Sequence, residues 1–92
     1  TMNRTDPQQL PVDLEFYAAF PMAHVETDTL YYIVEFERRR QRVDDQYYVA
    51  VLPFDAPVIS SDPQQAFDAA LVWDTASSLP ALSKKIAAWL GQ

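Results

Sequence analysis

The chain has 92 residues, with thirteen acidic and seven basic side chains and a net charge of −6 at pH 7. One domain of this length, with about half of its residues apolar, can form a packed core. The absence of cysteine excludes disulfides, thiolate zinc sites and cysteine nucleophiles, and a single glycine leaves no glycine-rich phosphate loop.

The same totals set expectations about partners. The negative charge disfavours direct contact with nucleic acid or an anionic membrane, and no apolar run approaches the roughly 18 residues of a membrane helix. The lack of cysteine is typical of a cytoplasmic protein. We therefore expect a cytoplasmic chain with no cofactor and no metal site.

Residues 1–11 are polar apart from a few positions and contain Pro7 and Pro11, so we predict a flexible arm at the start of one domain covering 1–92. The segment Val12–Phe20 then alternates between apolar and more polar positions, which is the period of a β-strand. One face would carry Leu14, Phe16, Ala18 and Phe20. Pro21 is expected to end this strand because proline cannot donate to the ladder.

Two further strands are predicted at Leu30–Arg38 and Gln46–Leu52, on either side of a charged connector. Both are rich in β-branched and aromatic residues, and the compact polar break indicates a hairpin. The second of them is apolar on both faces, which is typical of a central strand or of one covered by a partner.

Helices are predicted at Pro63–Trp73 and Leu79–Leu90, with Asp62 and Ser78 as N-terminal caps. Gly91 follows the second helix as a stop signal. An alternative interpretation makes Ala70–Trp73 a short strand, and a fourth strand around Val58–Ile59 is a further candidate.

These elements predict an α+β two-layer sandwich. A meander sheet of three antiparallel strands, or four with Val58–Ile59, would be covered on one face by the two C-terminal helices. Trp73 and Trp89 are expected in the core.

On the opposite sheet face we expect an exposed patch for binding a partner. Tyrosine is enriched at interfaces because its ring packs while its hydroxyl remains hydrated. The predicted members are Tyr17, Tyr31, Ile33 and Tyr48. The alternative is that a loop or the N-terminal arm covers this face.

Four of the seven basic residues lie within five positions: Arg38, Arg39, Arg40 and Arg42. Arginine binds phosphate and carboxylate groups through paired hydrogen bonds, so this loop could contact an anion or an acidic partner. The simpler interpretation is a solvated hairpin tip, balanced by nearby carboxylates.

Evidence for an enzyme is weak. His24 is the only histidine, and its acidic neighbours match no catalytic spacing. Glu15, Glu35 and Glu37 would share a sheet face if the first two strands pair, which is a geometry for acid–base work, cation binding or simple solvation. We expect no catalytic residues.

We therefore expect a non-enzymatic protein-interaction module that forms a homodimer through the aromatic sheet face or an edge strand. The alternative function is an acidic inhibitor that mimics nucleic acid and blocks a basic groove on another protein. Its thirteen acidic groups are spread singly along the chain, which solubility also explains.

Overall fold

The computed structural model describes residues 3–4, 10–40 and 42–92. In chain order the elements are β1 (Asn3–Arg4), β2 (Leu14–Ala23), β3 (Leu30–Arg38), β4 (Tyr47–Pro53), α1 (Pro63–Ala69), β5 (Val72–Ala76) and α2 (Leu79–Trp89). The bounds of β3 agree with the prediction, and those of β4 and α2 differ by one residue at most. The flexible arm predicted for residues 1–11 lies mostly outside the described residues, but Asn3–Arg4 pair with β5 as a strand, which that prediction did not include.

The strands form one antiparallel sheet in the order β1-β5-β4-β3-β2. β3 and β4 lie in its interior, and the side chains of Val34 and Val49 are fully buried. The prediction of an α+β fold with an antiparallel sheet and two helices is therefore confirmed. The apolar character of both faces of β4 marked it as central, and the structure agrees.

The two helices lie on opposite faces of the sheet, which differs from the predicted two-layer arrangement. On one face Phe67 of α1 packs over Val34, Phe36 and Ala50. On the other face Leu82, Ile86 and Leu90 of α2 pack over strands β3, β4 and β5. The sheet is thus a middle layer between two hydrophobic cores, and it needs apolar residues on both sides of β3 and β4.

A β-bulge at Tyr17 lets β2 contribute to both cores. The pairing of β2 with β3 shifts register between Phe16 and Ala18. As a result Leu14 belongs to the core under α1, while Phe20 packs in the core under α2. The predicted single apolar face of β2 is wrong because the inserted residue reverses the alternation.

Pro21 does not end β2, which continues to Ala23. β2 is the last strand of the sheet, and an edge strand tolerates proline where no backbone donor is needed. Pro21 is therefore compatible with a position inside this edge strand.

The chain beyond α1 contains a strand that the main interpretation assigned to helix. α1 ends at Ala69, and Val72–Ala76 forms β5 between β4 and β1. The alternative strand near Ala70–Trp73 was the better interpretation. The candidate strand at Val58–Ile59 is absent from the described structure, where these residues lie in the connection to α1.

Side chains cap both helices as predicted. Asp62 accepts a hydrogen bond from the backbone N–H of Gln64 at 3.0 Å, and Ser78 accepts one from Ala81 at 3.2 Å. Each cap satisfies an otherwise unpaired N–H group of the first turn. Gly91, just beyond α2, has a positive φ of 82°.

Candidate functional site

The four residues predicted to form one exposed patch are not brought together. Ile33 is fully buried beneath α2, and Tyr48 is 8% exposed in the core on the α1 side. Tyr31 is half-buried, with its ring centroid 4.7 Å from that of Trp89. Only Tyr17 is substantially exposed, at 49%. The idea of a bare sheet face is wrong because α2 covers the side on which Tyr31 and Ile33 lie.

Tyr48 is instead part of an aromatic cluster. Its ring lies nearly parallel to that of Trp73, with an interplanar angle of 4°, and edge-on to that of Phe67. Its hydroxyl donates a hydrogen bond to Asp45 at 2.8 Å. Burial, followed by the contact with Asp45, raises the pKa of Tyr48 to about 12. This tyrosine is a structural residue that joins β4 to the hairpin loop.

Two exposed aromatic residues lie together at the edge of the sheet, on β2. Phe16 is 45% exposed and its ring packs edge-on against Phe36, on the α1 side. Tyr17 packs edge-on against Tyr47, on the α2 side. The sequence pattern placed Phe16 on an apolar face with Leu14, and the structure keeps the two on one face, but at the edge of the sheet Phe16 is only partly covered. Two neighbouring aromatic residues therefore flank the open backbone edge of β2, one on each face.

The arginine-rich hairpin tip is held by Asp13, which lies just before β2. The Asp13 side chain is 4% exposed and accepts hydrogen bonds from Arg38 Nε at 3.1 Å and from the Arg40 backbone N–H at 3.1 Å. Arg38 Nη2 lies 3.0 Å from the same carboxylate. The hydrogen bond from Arg38 holds the pKa of Asp13 below its usual range. This contact spans 25 residues of sequence, and no local pattern signals it.

Arg39 and Gln46 complete the tip. Arg39 Nε lies 2.7 Å from Glu15 Oε2, and its Nη1 lies 3.1 Å from Glu37 Oε1. Gln46 is buried and donates a hydrogen bond to the carbonyl oxygen of Arg38. Two of the four arginines are thus committed to carboxylates.

A surface groove of about 370 Å³ opens at this tip, lined by Glu37, Arg38, Arg39, Arg40, Arg42 and Gln46. Arg40 and Arg42 are exposed. Within residues 10–40 and 42–92, no carboxylate lies within 4.0 Å of either guanidinium. The structure therefore brings the four predicted arginines together at one groove. Two of them, Arg40 and Arg42, form no ion pair with a carboxylate of the described residues.

The glutamates predicted to share a sheet face do so, but His24 is remote from them. Glu15 pairs with Glu37 across β2 and β3, and Glu35 follows on the same face. His24 lies beyond the opposite end of that ladder, where its Nδ1 accepts a hydrogen bond from the Glu26 backbone N–H. This separation does not support an acid–base site shared by His24 and the glutamates.

Within the described residues, burial without an ion-pair partner distinguishes Glu35 from the other two glutamates. Its side chain is 6% exposed, and desolvation raises its pKa above the ordinary value of 4.5. Among the described residues, no three histidine or acidic side chains converge as metal ligands. In that same part of the chain, neither helix is long and apolar enough to cross a bilayer.

Comparison with protein-family models, with curated proteins and with solved structures finds no match to this chain. The geometry of the molecule is therefore the basis for the proposals that follow.

Proposed function

We propose that the protein is a non-enzymatic interaction module that forms a homodimer by pairing β2 with β2 of a second copy. The observation that carries the proposal is the position of this ten-residue strand at the end of the sheet. An edge strand presents a row of backbone N–H and C=O groups that can pair with another chain. Such pairing would join two sheets into one.

A second copy is the occupant that fits this edge best. Two-fold pairing is isologous, so the same residues of both chains meet and one strand supplies both halves of the interface. Phe16 and Tyr17 lie beside the backbone edge on opposite faces, so their half-exposed rings would be covered on both sides of the joined sheet. Aromatic residues of this kind are enriched in the centres of interfaces.

Dimerisation through an exposed face of the sheet is not proposed, because a helix covers each face of β3 and β4. The nucleic-acid mimic stays a prediction from charge alone. Asp13 and Glu15, which lie beside the hairpin tip, are engaged with arginine and are not free to mimic phosphates.

Light scattering on a sizing column, at low and at high salt, tests the proposal. We expect a dimer that persists in high salt, since apolar burial and backbone pairing are weakly screened. The double variant Phe16→Ala, Tyr17→Ala should shift the population to monomer. The matched control is Ile59→Ala, which removes a 60% exposed apolar side chain elsewhere.

Circular dichroism of each variant would separate loss of pairing from loss of fold. A wild-type protein that is monomeric at every concentration and salt would overturn the proposal. A dimer that is equally stable in the double variant would also reject β2 as its interface.

A further inference from the structure

We propose that the groove at the β3–β4 hairpin tip is a binding site for a phosphate monoester dianion. The site goes beyond the proposed dimer, since neither Phe16 nor Tyr17 lines it. Four arginines and one glutamate surround about 370 Å³ of open space. This volume is in the range of small-ligand pockets, about 300–1,000 Å³.

The arginines of the groove have different roles. Arg38 is fixed by the buried Asp13, and Arg39 is held between Glu15 and Glu37. These ion pairs, with the hydrogen bond from the Arg40 backbone to Asp13, set the course of the chain at the tip. Arg40 and Arg42 are then presented at the groove with no described carboxylate within 4.0 Å.

Two available guanidinium groups favour a ligand with two negative charges. A phosphate monoester carries about −1.5 to −2 charges at pH 7 and offers three acceptor oxygens, whereas a carboxylate carries one charge. The planar guanidinium fork matches phosphate oxygens in paired hydrogen bonds. A phosphate dianion therefore neutralises the two unpaired arginine charges of the groove more completely than a single carboxylate does.

The charge on the remainder of the chain limits the size of the ligand. Apart from these four arginines there are thirteen acidic and three basic side chains, hence −10. A long polyanion would run beyond the groove into this negative field, while a compact anion stays within about one Debye length, roughly 8 Å, of the arginines. The ligand class is thus a small phosphate ester or a single phosphorylated side chain of a protein.

The site is tested by titrating each probe into the protein at constant ionic strength and monitoring the backbone amide signals by two-dimensional NMR. The probes are phenyl phosphate, benzoate as a monoanion of similar shape, and a serine peptide with and without phosphate. We expect saturable shifts at residues of the tip with phenyl phosphate and weaker ones with benzoate. Binding should also weaken at pH 5, below the second phosphate pKa of about 6.

Variants assign the effect to the groove. Arg40→Gln and Arg42→Gln should each weaken binding of phenyl phosphate about tenfold, the cost of one charge-assisted hydrogen bond. Lys84→Gln is the matched control, because it removes an exposed positive charge on α2. Neither arginine variant should alter the oligomeric state, so failure here is distinguishable from failure of the dimer.

Two results would both support the site and would distinguish the source of the phosphate. Equal affinity for phenyl phosphate and the phosphopeptide would indicate a small phosphate ester, and much tighter binding of the phosphopeptide would indicate a phosphorylated protein. Equal shifts with benzoate, absence of saturation, or binding unchanged in both arginine variants would overturn the proposal.

Discussion

The backbone of Gly91 packs directly against the imidazole ring of His24. A Cβ added at Gly91 would lie 3.0 Å from His24 Cε1 and 3.2 Å from Nε2. Beside this contact, the backbone N–H of Val25 donates a hydrogen bond to the carbonyl oxygen of Leu90 at 2.9 Å. The end of α2 is therefore fastened to the loop between β2 and β3, and His24 has a packing role.

Gly91→Ala should destabilise the protein through this contact. The left-handed backbone conformation costs an alanine about 1–2 kcal/mol, and the added methyl group must also displace the His24 ring. Urea unfolding measures the free-energy change. In a His24→Ala background the cost should fall but not vanish, because strain at a φ of 82° remains. An equal cost in both backgrounds would show that the ring contributes nothing.

Phe67→Ala should be strongly destabilising. Phe67 is 4% exposed and its ring contacts those of Phe36, Tyr48 and Trp73. Truncating a buried phenylalanine costs about 3–5 kcal/mol through lost burial and the cavity left behind. The control Phe54→Ala, at a residue 52% exposed, should cost about 0.5 kcal/mol or less. Chemical denaturation of the two variants side by side would show whether α1 closes a real core.

Glu35→Gln should stabilise the protein at neutral pH. Burial raises the pKa of Glu35, so the folded state binds a proton more readily than the unfolded state does. The charged form therefore costs stability above the raised folded-state pKa, and that cost disappears as pH falls below the ordinary value of 4.5.

Thermal unfolding from pH 4 to pH 8 measures this difference. The variant should melt higher than the wild type at pH 7, and the two curves should converge in acid. A glutamine variant that melts lower at pH 7 would contradict the assignment and indicate that the Glu35 carboxylate makes a favourable contact.

Asp13→Asn should have the opposite pH dependence. Arg38 lowers the pKa of Asp13, so the carboxylate contributes stability above its ordinary pKa of 3.8 and loses it as pH falls through the lowered value. The variant should be less stable than the wild type at pH 7, and the difference should shrink as pH falls below 3.8 and through the lowered pKa. Asp44→Asn, at an exposed position of the same hairpin, is the control. Equal unfolding midpoints for the wild type and Asp13→Asn at pH 7 would show that the Asp13 carboxylate does not stabilise the fold.

Local patterns predicted β3, β4 and α2 to within one residue, but their main interpretation included neither β1 nor β5. The composition of β3 gave both of its bounds, and Asp62, Ser78 and Gly91 marked helix ends by chemistry that acts within a few residues. The apolar residues on both faces of β4 marked it as central. The same apolar residues are compatible with one helix on each face of the sheet, which is the observed arrangement. The prediction instead placed both helices on one face and left the other face for a partner.

Features that depend on distant residues could not be predicted. The ion pair between Asp13 and Arg38 joins segments that only strand pairing brings together, and the bulge at Tyr17 follows from how β2 fits β3. The arginine cluster was visible in sequence, but the groove depends on which arginines are paired, and only the structure distinguishes Arg40 and Arg42 from the others.

The sheet order bears on how far assembly could extend. In the described part of the chain the sheet ends at β2 on one side and at the two-residue strand β1, which covers β5, on the other. Pairing through β2 would therefore consume the one long edge, and two copies related by a two-fold axis would leave no equivalent edge for a third. A dimer of the proposed kind would therefore resist growth into a fibre.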